Sequence, residues 1–255
     1  MALLANHIAV VTGAGSGIGR AIAAGYAREG AQVVLLDVNA DTVAEAAQEI
    51  RKAGGKAESF ALDVTKRDDC FALAKQVADK VGQVSILVNN AGITRRNAFT
   101  ADTETVAKDW NDIISLNLNG VFNTTQAFLA PLRAAKGRIV NIGSIQSFVH
   151  AKWPNSAAYT TSKHGVLGFT RALAAELGKD GVRVNAIGPG MIETKINAEA
   201  RDKNPHIVGM VMEHTPLGRT GKPEDVAGPA VFLASDLAAY VTGSIVMADG
   251  GFRTI

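Results

Sequence analysis

The stretch Thr12-Gly-Ala-Gly-Ser-Gly-Ile-Gly19 decides the fold of this chain, because it joins a short apolar run to a helical segment. Four glycines in seven residues at such a junction predict a tight turn whose backbone approaches a phosphate closely. The spacing G-x-x-x-G-x-G differs from the common dinucleotide fingerprint G-x-G-x-x-G, and a purely structural turn without a ligand is the alternative. The residues expected to contact a dinucleotide here are Gly13, Ser16, Gly17, Ile18 and Gly19.

On either side of this turn, short runs rich in β-branched residues alternate with longer amphipathic segments. Strands are predicted at Ile8–Thr12, Gln32–Leu36, Ala57–Leu62, Val84–Val88, Arg138–Ile142, Val182–Ile187 and Ser244–Met247. Helices are predicted at Ile18–Glu29, Ala40–Ala53, Lys66–Lys80, Ala107–Ala135, Ser156–Gly178 and Pro223–Ala234. This alternation predicts an α/β fold with a doubly wound parallel sheet covered by helices on both faces. No linker or repeat interrupts it, so residues 1–255 are expected to form a single domain.

Composition excludes several classes of protein. The chain has 255 residues, of which 47% are hydrophobic and 20% charged, so it does not have the composition of a disordered protein. Its formal net charge is +2, and its longest basic cluster, around Arg95 and Arg96, is too short to predict a nucleic-acid partner. No apolar window is long enough for a membrane span. A single cysteine, Cys70, and an N-terminus without signal-peptide features predict a reducing, cytoplasmic location.

The end of the second predicted strand carries an acidic residue, Asp37, 18 residues after Gly19. A carboxylate at this position suits the ribose hydroxyls of a dinucleotide and repels a 2′-phosphate, so it predicts NAD rather than NADP. The alternative is that Asp37 caps the helix that follows. Asp37 is available for ribose binding only if Asn39 or Asp41 caps that helix instead.

The segment Pro189–Thr220 is the least regular part of the sequence. It interrupts the alternation just after a strand, at the edge where open α/β sheets bind ligands. We expect residues 189–220 to form a lid over a substrate, with an ordinary surface excursion as the alternative.

Three further motifs, combined with the glycine turn, resemble those of the short-chain dehydrogenase/reductase family. They are Asn89-Asn90-Ala91-Gly92, Tyr159-x-x-x-Lys163 and Asp249-Gly250-Gly251, and the resemblance runs from His7 to Gly251. It implies a Rossmann-type fold with a seven-stranded sheet, an NAD(H)-dependent dehydrogenase and a homotetramer. It also implies that the dinucleotide contacts Asp63, Val64, Asn90, Gly92, Tyr159, Lys163, Pro189, Ile192 and Thr194.

The same resemblance implies a catalytic set of Asn117, Ser144, Tyr159 and Lys163. Tyr159 and Lys163 lie four residues apart on a predicted helix and therefore share a face. Since an ordinary tyrosine has a pKa near 10, proton transfer by Tyr159 would benefit from a nearby ammonium that favours the phenolate. Ser144 would polarise the substrate oxygen, and Asn117 would hold a water on a proton relay to Lys163. The five scattered histidines predict no metal site.

The predicted substrate is a secondary alcohol, because this residue set would move one proton while NAD accepts a hydride. The polar loop after Ser144 favours a polyol or sugar, contacted by Ser144, Gln146, Trp153, Asn155 and Tyr159. One alternative is an NADPH-dependent 3-oxoacyl-thioester reductase, which Asp37 disfavours. A second, of a different class, is a non-catalytic dinucleotide sensor, which would not need a proton relay.

The homotetramer implied by the resemblance would pair two helices across a twofold axis. The segments containing Asn117 and Tyr159 carry more apolar side chains than the core of one protomer would need. These are Phe122, Phe128, Leu129, Val166, Leu167, Phe169 and Leu173. The C-terminal segment from Tyr240 to Ile255 would form a second interface.

Overall fold

Seven parallel strands form one sheet in the computed structural model, which describes residues 2–150, 156–194 and 205–254. Their order across the sheet is β3-β2-β1-β4-β5-β6-β7. The strands are β1 (Ile8–Thr12), β2 (Gln32–Asp37), β3 (Lys56–Ala61), β4 (Ile86–Asn89), β5 (Arg138–Ile142), β6 (Arg183–Pro189) and β7 (Ile245–Ala248). The sequence prediction of a doubly wound, Rossmann-type α/β fold is confirmed, and every predicted strand is present.

Helices cover both faces of this sheet. They are α1 (Gly17–Arg28), α2 (Ala40–Lys52), α3 (Arg67–Lys80), α4 (Thr103–Ile114), α5 (Gly120–Ala134), α6 (Ala157–Leu177), α7 (Pro205–Glu213) and α8 (Pro223–Ala234). Successive strand residues point to opposite faces, so the core has two halves. Val11 and Leu35 pack with α1, α2 and α8, whereas Val10 and Leu36 pack with α3, α5 and α6.

The order of the strands places a crevice at their carboxyl ends. Because β1 has β2 on one side and β4 on the other, the connections after β1 and β4 leave the sheet in opposite directions. This switch point is where open α/β sheets bind ligands. The amide of Asn90 bridges it, because Nδ2 donates to the carbonyls of Thr12 at 2.9 Å and Gly13 at 3.1 Å.

The long helix predicted at Ala107–Ala135 is present as one uninterrupted helical stretch, although it is not α-helical throughout. It begins earlier, at Thr103, and includes a π-helical turn at Ser115–Asn119. The widened turn accommodates the inward side chain of Asn117, which binds the backbone of Ile93 through both its amide oxygen and its amide nitrogen. The apolar periodicity continues across Ser115–Asn119, so the pattern alone did not indicate the π-helical turn.

The segment predicted to be irregular, 189–220, is partly helical. Its residues 195–204 lie outside the described residues, and α7 occupies Pro205–Glu213. The two ends of the segment are joined, because Glu193 N–H donates to the Gly221 carbonyl and Gly221 N–H donates to the Met191 carbonyl. Glu193 and Gly221 therefore lie next to each other, close to the carboxyl end of β6.

Candidate functional site

A cleft of about 990 Å³ opens along the carboxyl ends of the strands. It brings together most of the residues predicted to bind a cofactor or a substrate: Gly13, Ser16, Gly17, Ile18, Asp37, Asp63, Val64, Asn90, Gly92, Ser144, Gln146, Tyr159, Lys163, Pro189, Ile192 and Thr194. Gly19 and Asn117 do not line the cleft but support its walls. Trp153 and Asn155 lie outside the described residues.

The glycine turn after β1 is built for close backbone approach. Gly13 and Gly17 have positive φ angles of 63° and 53°, which L side chains rarely adopt. A Cβ on Gly19 would lie 2.2 Å from the carbonyl oxygen of Gly13, so the start of α1 could not pack against the turn with any other residue. The hydroxyl of Ser16, the N-cap residue of α1, makes no capping bond to any described residue. Ser16, Gly17 and Ile18 line the cleft, so the start of α1, whose first N–H groups have no intrahelical acceptor, is placed as a pyrophosphate site requires.

The Asp37 carboxylate lies at the end of β2 beside this turn. Its Oδ2 accepts from Gly15 N–H at 3.0 Å, and its Oδ1 accepts from Asn39 N–H at 3.1 Å. Asn39, rather than Asp37, caps α2, because its Oδ1 accepts from the N–H groups of Asp41 and Thr42. A carboxylate can accept about four hydrogen bonds, so this one retains capacity for ribose hydroxyls.

The residues after β3 form the next part of the wall. Asp63 Oδ1 accepts from the N–H and the hydroxyl of Thr65, at 2.9 and 2.7 Å. The carbonyl of Val64 accepts from Asn123 Nδ2 at 3.0 Å, which ties this segment to α5. The loop of Asp63 and Val64, which the family resemblance assigns to dinucleotide binding, is therefore held both by Thr65 within the loop and by Asn123 on α5.

Lys163 and Tyr159 share one face of α6, as their spacing predicted. Lys163 is buried, and burial lowers its pKa to about 8. Its Nζ lies 5.6 Å from the centre of the Tyr159 ring and donates to the carbonyl of Ile142 at 2.8 Å. A buried cation whose burial penalises its charged form is typical of a functional group rather than a structural one.

The phenol of Tyr159 does not have the lowered pKa that the sequence suggested. Burial has the largest effect and raises the pKa, while hydrogen bonding to Ser144 and the positive charge of Arg96 act in the opposite direction. Ser144 Oγ also accepts from Gln146 N–H at 3.1 Å, which leaves its hydroxyl proton for the phenol or for a bound oxygen. Ser144 and Tyr159 thus form one hydrogen-bonding pair at the wall of the cleft.

Asn117 is placed by the π-helical turn so that its amide supports the loop after β4. Its Oδ1 accepts from Ile93 N–H at 2.8 Å, and its Nδ2 donates to the Ile93 carbonyl at 2.9 Å. The same nitrogen is 3.3 Å from the hydroxyl oxygen of Ser162 on α6. These bonds fix the segment that leads to Arg95 and Arg96. The water relay suggested for Asn117 stays a prediction.

Gln146 is buried in the loop after β5, where it lines the cleft. Thr160 Oγ1 donates to Gln146 Oε1 at 2.7 Å, and His150 Nδ1 lies 2.7 Å from the same hydroxyl. Because the Thr160 proton goes to Gln146, His150 donates to Thr160. This chain fixes the amide of Gln146 so that its nitrogen, rather than its oxygen, remains for a ligand.

Sequence reasoning missed Arg96. The residue is half-buried, lines the cleft and lies close enough to Tyr159 for its charge to lower the phenol pKa. A pair of adjacent arginines is an ordinary surface feature in a sequence. Only the path of the loop after β4 in the structure shows that Arg96 lines the cleft.

Residues 2–150, 156–194 and 205–254 contain neither a cluster of potential metal ligands nor a membrane-spanning helix. No group of three or more His, Cys, Asp or Glu side chains within them is placed to hold a metal ion. No helix in the same ranges is long and apolar enough to cross a membrane.

Known proteins share this fold and these motifs. A family model described as enoyl-(acyl carrier protein) reductase matches residues 13–253. The chain is 38% identical to the 3-oxoacyl-[acyl-carrier-protein] reductase of Thermotoga maritima, covering 97% of this chain and 98% of the relative. It is 40% identical to the galactitol 2-dehydrogenase (L-tagatose-forming) of Cereibacter sphaeroides, covering 96% and 94% respectively. A crystal structure of a gluconate 5-dehydrogenase from Burkholderia cenocepacia, in complex with NADP and tartrate, superposes with a TM-score of 0.93 at 34% identity, covering 99% of this chain and 97% of that one.

The chain belongs to the short-chain dehydrogenase/reductase family. It is therefore an oxidoreductase whose cleft takes a nicotinamide dinucleotide.

Proposed function

We propose that this protein interconverts a secondary alcohol and a ketone with NAD(H), and that its substrate is a polyol or a sugar. The observation that carries the proposal is that Ser144, Tyr159 and Lys163 lie in one cleft with the glycine turn. The overall reaction is a secondary alcohol plus NAD⁺ giving a ketone, NADH and a proton.

The residues present fit a dinucleotide. The cradle formed by Gly13, Gly17 and Gly19 would be filled by a single Cβ, and the N-terminus of α1 offers N–H groups to a pyrophosphate. Asp37 would hold the adenosine ribose, while Lys163 would hold the nicotinamide ribose. When bound, the oxidised nicotinamide supplies the hydride acceptor and a positive charge.

Each catalytic side chain has a distinct role in this proposal. Tyr159 takes the hydroxyl proton of the alcohol in oxidation and returns it in reduction. Ser144 donates a hydrogen bond to the reacting oxygen, which strengthens as negative charge develops there. Lys163, buried beside the phenol, favours its ionised form and passes the proton onward. Asn117 keeps the loop after β4 in place.

Asp37 supports NAD rather than NADP. A 2′-phosphate would meet the Asp37 carboxylate, and like charges at close range cost several kcal/mol. The solved relative binds NADP, so this preference is a property proposed for the present chain from its own residue.

A polyol or sugar is supported by the fixed amide of Gln146 and by relatives named for galactitol and gluconate. The second candidate is a 3-oxoacyl-thioester reductase, which the Thermotoga maritima relative favours. The test is a panel of polyols, sugar acids and 3-oxoacyl thioesters with both NAD(H) and NADP(H). Turnover confined to acyl thioesters with NADPH would reject the proposal in favour of the second candidate.

We also propose a homotetramer, on a smaller apolar surface than the sequence suggested. Phe128, Val166 and Leu167 are buried in the protomer's own core and are not available. Phe122 is 43% exposed and packs edge-on against Phe169, at 6.4 Å between ring centres. Tyr240, fully exposed near β7, marks the second proposed interface. Sedimentation velocity should give four chains; a monomer at micromolar concentration would reject this.

Two further features complete the proposal. The segment between the paired residues Glu193 and Gly221 acts as a lid over the substrate end of the cleft. The protein acts in the cytoplasm as a single catalytic domain. A cytoplasmic location is supported by Cys70, the single cysteine of the chain, which is a free thiol as a reducing compartment favours.

A further inference from the structure

Gln146 is held at the wall of the cleft by two separate hydrogen bonds, and neither uses the nitrogen of its amide. Its backbone is fixed by the short turn that follows Ser144, because Gln146 N–H donates to Ser144 Oγ at 3.1 Å. Its side chain is fixed from α6, because Thr160 Oγ1 donates to Gln146 Oε1 at 2.7 Å. Thr160 directly follows Tyr159 on α6. The amide is therefore oriented by the helix that carries the proposed proton-transferring phenol.

The length of the bond from Thr160 shows which end of the amide faces the helix. A separation of 2.7 Å is typical of an O–H···O hydrogen bond, whereas N–H···O bonds are usually about 2.9–3.0 Å long. Gln146 is only 4% exposed, yet its Nε2 makes no hydrogen bond with any residue in the described part of the chain. Arg138 Nε is the one fully buried side-chain nitrogen or oxygen without a partner among the described residues, so Gln146 Nε2 keeps access to the cleft. Because buried polar groups are almost always hydrogen-bonded, this nitrogen marks a place for an oxygen of a ligand.

His150 completes this chain of hydrogen bonds on its solvent side. The hydroxyl of Thr160 has one proton, which goes to Gln146, so His150 Nδ1 is the donor of the 2.7 Å bond to Thr160 Oγ1. His150 is exposed and belongs to the same loop after β5 as Gln146. Each side chain thus donates to the next, from the surface to the cleft, where Gln146 presents its N–H groups.

We propose that Thr160 and His150 are positioning residues that hold Gln146 as a hydrogen-bond donor to a second oxygen of the substrate. The unit recognised in this way is a vicinal diol, or the α-hydroxy ketone formed from it. Ser144, the donor to the reacting oxygen, and Gln146 belong to the same short turn, which favours two oxygens on adjacent carbons. A substrate without the second oxygen would cover the N–H groups of Gln146 without pairing them and would therefore react less efficiently.

This inference rests on the proposed function, and its probes are two pairs of ketones of matched shape, reduced with NADH. Hydroxyacetone is paired with 2-butanone, and methoxyacetone with 2-pentanone, so that in each pair a carbon atom replaces the second oxygen. The hydroxyl of hydroxyacetone accepts and donates hydrogen bonds, whereas the ether oxygen of methoxyacetone only accepts them. Each variant is compared with the wild type on the same probe, so the intrinsic reactivity of the ketones cancels.

Gln146→Ala tests which end of the amide the substrate meets. It should lower kcat/KM by at least about fivefold for both hydroxyacetone and methoxyacetone, without lowering that of 2-butanone or 2-pentanone. The Kd of NADH should not change. A loss confined to hydroxyacetone would show that Gln146 presents its oxygen to the cleft, and no selective loss would show that it does not contact a second oxygen. Either result overturns the inference.

Thr160→Val tests the positioning, because it removes the hydroxyl and keeps the shape of the side chain. It should cause the same selective loss, mainly through KM, whereas Thr160→Ser should restore the preference of the wild type. His150→Ala should cause a smaller loss of the same kind. His164→Ala is the matched control and should leave the preference unchanged, since His164 Nδ1 is 3.0 Å from the backbone carbonyl of Thr160 and not from its hydroxyl. Equal losses on all four probes in Thr160→Val would show a merely structural role and overturn the positioning.

The inference and the proposed function fail in different ways. Reduction of ketohexoses with NADH but of none of the four probes would show that the second oxygen does not lie next to the reacting carbon, and would leave the dehydrogenase intact. Turnover confined to acyl thioesters would overturn the proposed function itself. If Thr160→Val does not fold, the comparison of His150→Ala with His164→Ala decides.

Discussion

Lys163 donates a hydrogen bond from Nζ to the backbone carbonyl of Ile142 at 2.8 Å, which joins the middle of α6 to the carboxyl end of β5. Ser144 follows two residues after that carbonyl. One buried ammonium thus fixes both the helix that carries Tyr159 and the strand that leads to Ser144.

This arrangement predicts that Lys163 lowers the stability of the fold. Its pKa is about 8 in the folded protein against 10.5 in the unfolded chain. Below pH 8 the amine is protonated in both states, so its burial as a cation lowers the free energy of unfolding by the largest amount. Lys163→Met should raise the free energy of unfolding at neutral pH by roughly 2 kcal/mol, after subtracting about 1 kcal/mol for the lost hydrogen bond, and abolish turnover.

The sign of this effect can be checked by urea unfolding as a function of pH. Between pH 8 and about 10.5 the unfolded chain binds more protons than the folded one at this residue, so the wild type gains stability as pH rises. The advantage of Lys163→Met should therefore shrink over that window. A variant less stable than the wild type at pH 7 would show that Lys163 is structural.

Asn117 is predicted to position the loop after β4. Asn117→Ala leaves the N–H and the carbonyl of Ile93 without their side-chain partners, at a cost of about 1 kcal/mol for each of these part-buried groups. Asn119→Ala is the matched control, because Asn119 is exposed on the same π-helical turn. It should change the free energy of unfolding by less than about 0.5 kcal/mol. Equal effects of the two variants on urea unfolding would contradict the role given to Asn117.

Asp37 is predicted to set the choice of cofactor. Asp37→Asn keeps an oxygen acceptor for the backbone but removes the charge, so the Kd of NADPH should fall by at least about tenfold relative to that of NADH. Asp41→Asn removes an exposed charge nearby and should leave the ratio as it is. Fluorescence titration with both dinucleotides measures the ratio of their Kd values. A wild type that already binds NADPH more tightly than NADH would contradict the role given to Asp37.

Gly19 is predicted to be essential for the cofactor turn. In Gly19→Ala the new methyl group would lie 2.2 Å from the Gly13 carbonyl oxygen and 2.5 Å from Asn90 Nδ2, so the turn must move. NADH affinity should fall by at least about tenfold, and stability by about 1–3 kcal/mol. Gly178→Ala is the control, because no atom approaches within 4 Å there and its backbone is helical. NADH affinity retained in Gly19→Ala would show that the turn tolerates a side chain.

The sequence predicted the sheet, its strands and most of the cleft because these follow from local patterns. Buried parallel strands are read from apolar runs, and the glycine turn and the Tyr159–Lys163 spacing are each contained within one segment. The π-helical turn was missed because Asn117 is drawn inward by Ile93, a residue 24 positions earlier. Arg96 was missed for a related reason, since its position near Tyr159 depends on how the loop after β4 packs against α6. The raised pKa of Tyr159 depends on packing around the phenol, which no local pattern encodes.

We propose that Tyr159 transfers the proton during alcohol oxidation in this cleft. The most direct measurement is kcat/KM for the best polyol or sugar acid with NAD, across pH, for the wild type and Tyr159→Phe, together with the Kd of NADH for both. We expect a wild-type rate that rises with pH, a loss of at least about 100-fold in Tyr159→Phe, and an NADH Kd that is unchanged. Turnover by Tyr159→Phe within a few-fold of the wild type, with the same pH profile, would contradict it.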